Sequence, residues 1–140
     1  MGQAEVVVGA GSYRFSGDGA VAFPHKYTDE GVTVRTMFTG AYLLHLTAAG
    51  CVLNDVYRES EGLGVRIDGV RVTASGEFER GADNGLRSLG ISYQIEVDSP
   101  SPAEDVEALL AHVDAVAEMP SVIRAGAPVA RARAAASASQ

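Results

Sequence analysis

The sequence predicts an α+β protein built on antiparallel strands, and three stretches carry the prediction. Leu89, Ile91, Tyr93, Ile95 and Val97 alternate with Ser88, Gly90, Ser92, Gln94 and Glu96, the period-two pattern of a half-buried antiparallel strand. Residues 41–61 are good helix formers in a run too long for a strand. Ser101, Pro102 and Glu104 then read as a capping box with proline at the first helical position. The order is strands, helix, two strands, helix, and no strand–helix–strand unit with phosphate-binding glycines appears.

Each element has its own local signal. "EVVV" at residues 5–8 reads as a short strand. "SYRF" and "AVAF" flank "SGDG" (Ser16 to Gly19), which predicts a hairpin. "GVTVRTM" predicts a third strand, with Val32, Val34 and Thr36 on one face and Thr33, Arg35 and Met37 on the other. Thr39 is positioned to cap the central helix. Leu44, Thr47, Ala48, Cys51, Asp55 and Arg58 fall on one stripe of that helix, and Gly62 followed by Leu63 is a stop signal. Residues 65–79 form the next strand, whose alternation slips at Asp68-Gly69 as at a bulge, and "RGADNG" is the turn after it. In the last helix Val106, Leu109, Leu110, Val113, Val116 and Ala117 share a face that should end near Met119, because Pro120 follows; "SVIRAG" reads as one further turn.

A chain of 140 residues, 46% of them hydrophobic, supports one core and one domain, residues 1–126. Residues 127–140 are alanine- and arginine-rich without apolar periodicity, which predicts a disordered tail. No apolar run is long enough to span a bilayer, and "MGQAEVVVGAGS" lacks a basic start before an apolar block, so the expected location is the cytoplasm, with no membrane partner. A net charge of −7 argues against nucleic acid. Lys26 is the only lysine, which sets lysine-based covalent chemistry aside. "GAGS" opens no helix and is no dinucleotide site, and no cofactor is implied.

The candidate chemistry centres on Cys51, the only cysteine. It cannot form an internal disulfide, so it is filler, a reactive thiol, or a link to another chain. No metal set is legible: His25, His45 and His112 are scattered, and His45 lies six residues before Cys51, about 120° away around a helix. A reactive thiol needs a nearby cation to hold it as thiolate, whereas apolar burial works the other way. Arg58 lies two turns away, about 10 Å along the axis, and Asp55, one turn away, has the wrong sign and can pair with Arg58. Arg35 and Arg14, on the preceding strands, are the candidate activators. Tyr42, His45, Asn54, Asp55 and Tyr57 supply polar groups near the helix.

The run "TGAYLLHLTAAGCVLNDVYRESEGLGVRIDGVRVTASGEFE" resembles the central helix and following strand of the OsmC/Ohr family, with a cysteine after a small-residue "AA" step. "GISYQIEVDSPSPAEDVEALLAHVDAVAEMPSVIRAG" resembles the second half of that family, where a strand leads through a serine/proline cap into a helix ending at a "CPV"-like element. The resemblance covers roughly residues 30–126 and implies antiparallel sheets around a buried central helix in an intertwined homodimer. Peroxide-reducing members use an attacking cysteine, a resolving cysteine, an activating arginine and a glutamate that holds the arginine. Cys51 matches the attacking position. Met119 falls at the resolving position and Ala41 at the glutamate position, so the intramolecular two-cysteine cycle is excluded.

Three readings follow. The chain is a one-cysteine reductase of organic hydroperoxides that uses Cys51, Arg35 or Arg14, and an external thiol. Alternatively it is a binding module or non-redox enzyme for a small apolar molecule at a dimer-interface pocket lined by Tyr42, His45, Asn54, Asp55, Arg58 and Met119. In the third reading it is a structural partner of another protein, and Cys51 is packing.

Overall fold

The computed structural model describes residues 3–132. Its elements are β1 (Ala4–Gly11), β2 (Ala20–Phe23), β3 (Val32–Arg35), α1 (Gly40–Leu63), β4 (Gly69–Arg80), β5 (Leu86–Asp98), α2 (Ala103–Val116) and α3 (Glu118–Ala125). The five strands form one sheet in the order β2-β3-β1-β4-β5, every neighbouring pair antiparallel. The architecture is therefore α+β, with one sheet among the described residues where several were expected. Residues 127–132 have no regular structure, and 133–140 of the expected tail lie outside the described residues. Among the described residues no helix is long and apolar enough to cross a membrane.

Helix α1 lies between layers: β1 and β4 contact it on one side, α2 and α3 on the other. Val6, Val8 and Ala10 of β1 and Val70, Val72 and Ala74 of β4 alternate onto the same sheet face, and the helix covers them with Ala49, Val52, Leu53 and Val56. Helix α2 closes the far side with Leu109 and Val113, both fully buried. The buried residues of α1 are His45, Ala48, Ala49, Val52, Leu53, Asp55, Val56, Tyr57 and Ser60. Thr47 and Arg58, expected on one stripe with Ala48, are exposed. A helix apolar nearly all round offers no unique stripe, so the packing partners chose it. At its C-terminus Gly64, rather than Gly62, takes the left-handed conformation (φ 66°), and its N–H donates to the Glu61 carbonyl.

The N-terminal hairpin does not form. "AVAF" pairs with β3, and "SYRF" instead folds over the outer face of the sheet. Gly9 makes room for it: a Cβ there would lie 2.4 Å from the Tyr13 carbonyl oxygen and 3.2 Å from the Phe15 ring. Thr33 Oγ1, buried beneath, accepts the Phe15 N–H at 3.0 Å and donates to the Gly9 carbonyl at 3.3 Å. Those polar bonds offer the segment an alternative to a strand ladder.

Strand β5 alternates as its pattern predicts from Ile91 onward, half-buried at Ile91, Tyr93, Ile95 and Val97, whereas Leu89, expected on the same face, is exposed. The irregularity in its pairing with β4 falls between Gly76 and Phe78 rather than at Asp68-Gly69, where the strand begins. Ser101 makes no cap; its hydroxyl accepts the Arg66 N–H at 3.0 Å and ties the strand connection down. Helix α2 ends at Val116, and α3 restarts with Pro120 in its first turn, where a missing N–H costs nothing.

Candidate active site: a cleft beside Cys51

A cleft of about 540 Å3 opens between α1, the inner faces of β1 and β3, the β2–β3 loop and the start of α3. Its walls are mostly apolar: Val8, Val32 and Val34 from the sheet, Leu46 and Leu53 from α1, and Phe23 from β2. Gly50 leaves one wall low, since no heavy atom lies within 4 Å of where its Cβ would stand. The polar groups gather at one end: Cys51, Asn54, Asp55 and Arg58 from α1, His25 and Lys26 from the loop, and Glu118 beside Met119.

Cys51 is half-buried, and its Sγ donates to Asp55 Oδ2 at 3.7 Å. Asp55 is almost fully buried and pairs through Oδ1 with Arg58 Nη2 at 3.2 Å. Arg58 also bonds Glu59 Oε2 at 3.0 Å, and Glu59 bonds His112 at 2.7 Å. The charge order from the sulfur outward is thus thiol, carboxylate, guanidinium. Burial pushes the Cys51 thiol above its ordinary range. The backbone N–H groups of Met119 and Glu118 pull it down, but the Asp55 carboxylate adds to the rise both as a charge and as an acceptor. Burial likewise raises Asp55, with Arg58 opposing. The arrangement holds a protonated thiol whose hydrogen is directed at a buried carboxylate, and among the described residues no cation contributes to the thiol's environment directly.

The structure brings Cys51, Asn54, Asp55, Arg58 and Met119 together in this cleft and moves the other expected residues out of it. Arg35 stands on the opposite sheet face: Val34, its neighbour, lines the cleft, so strand alternation turns Arg35 outward over the Phe15 ring at 4.7 Å. Arg14, in the overlaid segment, pairs with Glu30 at 3.6 Å. Neither activates the thiol within one chain. His45 is fully buried; its Nδ1–H donates to the Ala41 carbonyl at 2.6 Å, and its ring meets Phe78 edge-on. Tyr42 packs against the core. Neither lines the cleft. Among the described residues no group of three His, Cys, Asp or Glu side chains could hold a metal.

His25, Lys26 and Phe23 were missed by sequence reasoning. The "AVAFPHKY" stretch carried an aromatic-flanked histidine, but only the pairing of β2 with β3 turns its loop toward α1.

No protein-family model matches the chain, and no curated protein matches it. Solved structures do. An OsmC-like hydroperoxide resistance protein from Jannaschia sp. CCS1 superposes with a TM-score of 0.55 at 14% identity, covering 97% of this chain and 95% of that one. An OsmC-like protein from Mycoplasma pneumoniae gives a TM-score of 0.52 at 12% identity, over 75% of this chain and 85% of that one. The chain has an OsmC-like fold, in a version with one cysteine.

Proposed function

We propose that the chain binds a small, largely apolar molecule in the cleft beside Cys51, and that Cys51 meets it as a neutral thiol. The observation that carries this reading is the order thiol, carboxylate, guanidinium on an otherwise apolar wall. A thiolate needs the cation next to the sulfur; here Asp55 stands between them. A cleft of this size with a few convergent polar groups is the usual form of a small-molecule site. The test is a titration with the neutral apolar dye Nile red, comparing wild type with Gly50→Phe. The new ring enters open space on a helix, so the fold keeps its stability. Saturable binding that weakens by about tenfold or more in the variant supports the site, a loss of about 1.4 kcal/mol. Equal binding by both proteins, or by neither, overturns it.

A second reading has its own support. The N–H groups of Met119 and Glu118, at the start of α3, face the sulfur as donors that favour thiolate. The Jannaschia protein is named for hydroperoxide resistance. In this reading Cys51 sulfur attacks an organic hydroperoxide, the O–O bond breaks, the alcohol leaves with the proton, and Cys51 becomes a sulfenic acid. A low-molecular-weight thiol condenses with it, releasing water, and a second thiol frees Cys51 and leaves as the disulfide. Peroxide consumption with dithiothreitol that is identical in wild type and Cys51→Ser would end it.

The homodimer belongs to the same proposal. Leu86, Leu89, Val116 and Val122 are exposed apolar side chains on β5, α2 and α3. Light scattering at the mass of a single 14.5 kDa chain would remove it.

A further inference from the structure

The β2–β3 loop, residues 24–31, lines the cleft through Pro24, His25, Lys26 and Tyr27, and a single hydrogen bond ties it to α1. His25 Nε2 lies 2.8 Å from Asn54 Oδ1. Among the described residues no other hydrogen bond or ion pair joins this loop to α1. The other ring nitrogen is also engaged: Thr28 Oγ1 donates to the Gly31 carbonyl at 3.3 Å, so His25 Nδ1–H donates to Thr28 Oγ1 at 2.8 Å. Tyr27 and Tyr57 meet the imidazole edge-on, each with ring centroids 5.6 Å away. The ring is therefore fixed on four sides, between a loop that walls the cleft and a helix that carries the thiol.

We propose that His25 is a clasp: its bond to Asn54 sets the width of the cleft and so the size of molecule that reaches Cys51. The inference rests on the reading of the cleft as a small-molecule site, but its test needs no natural ligand. Asn54 is exposed and sits one turn from Arg58 and three residues from Cys51 on the same helix, so a side chain reaching across from the loop closes the polar end of the cleft. Lys26 and Tyr27, next to His25, line the same cleft. The core strands carry no comparable freedom, because their ladders pair every residue of β3 on both sides.

The experiment measures Cys51 alkylation by a small reagent, iodoacetamide, and a bulky one, pyrenylmaleimide, in wild type, His25→Ala, Asn54→Ala and the double variant. The rate ratio of bulky to small reagent cancels any change in the thiol's ionisation. Each single variant should raise that ratio by about fivefold, the factor one net hydrogen bond is worth. The double variant should add nothing further, because both substitutions remove one bond. Asn54→Ala improves an exposed helix position, so it keeps the measurement meaningful if His25→Ala folds poorly. An unchanged ratio in Asn54→Ala, or fully additive effects in the double variant, overturns the clasp. Dye binding by neither wild type nor Gly50→Phe, with the ratio raised as expected, overturns the small-molecule reading and leaves the clasp standing.

Discussion

Asparagine at position 55 keeps the shape of the side chain and removes its charge. In the wild type the carboxylate lies 3.7 Å from Cys51 Sγ, and the sulfur is half-buried at the wall of an open cleft. Two unit charges at that distance repel by about 1 kcal/mol in water and about 4 kcal/mol at an effective dielectric of 20. Arg58, 3.2 Å from the other carboxylate oxygen, offsets part of this. The lower figure is the appropriate one for an open cleft, and it corresponds to about one pKa unit. Asp55→Asn should therefore lower the midpoint of Cys51 alkylation against pH by about one unit, while burial, the larger cause of the rise, stays in place. At pH 7 the thiolate fraction rises about tenfold, while its nucleophilicity falls with its pKa by a factor of about three, so the observed rate rises about three- to fourfold. Iodoacetamide kinetics between pH 6 and 10 provide the assay. A midpoint that stays put or moves upward would refute the assignment of Asp55 as a group that, beside burial, holds the thiol protonated.

Two further outcomes test the packing. Leu109→Ala should cost about 2–5 kcal/mol in urea unfolding, because this fully buried side chain anchors α2 against α1; a loss under about 1 kcal/mol would mean that α2 docks otherwise. Burial and the nearby Asp68 carboxylate push the Tyr57 hydroxyl up to about 12. The folded chain then binds the proton more tightly than the unfolded one. Tyr57's contribution is complete below pH 10 and drains away as pH rises toward 12, by about 2 kcal/mol at pH 11.5. Tyr57→Phe should lose less stability than wild type between pH 9.5 and 11.5, and an identical loss in both proteins would contradict the cause assigned here.

Most of the architecture is legible from local pattern alone. Strict alternation from Ser88 to Val97 and a run of helix formers from Ala41 can each be satisfied in one way, because a strand repeats every two residues and a helix every 3.6. Position 51 is likewise readable as the chemically distinctive residue, since no other cysteine competes with it. What surrounds the sulfur is not readable. Arg35 looked available because a strand has two faces, and only the docking of α1 onto the Val34 face sends the guanidinium to the far side. His45 looked available because a helix apolar all round has no marked inside, and the sheet buried it.

The sequence by itself determined that this chain is α+β, that it carries one thiol on a central helix, and that no second cysteine can resolve it, because periodicity and composition are local properties. Only the tertiary structure decided that a carboxylate, rather than a guanidinium, stands beside that thiol, and that a loop histidine bonds Asn54 on the same helix. Distances between residues far apart in the chain follow from how layers pack, and electrostatic effects on a thiol fall off within a few ångströms, so no spacing in one dimension could fix them.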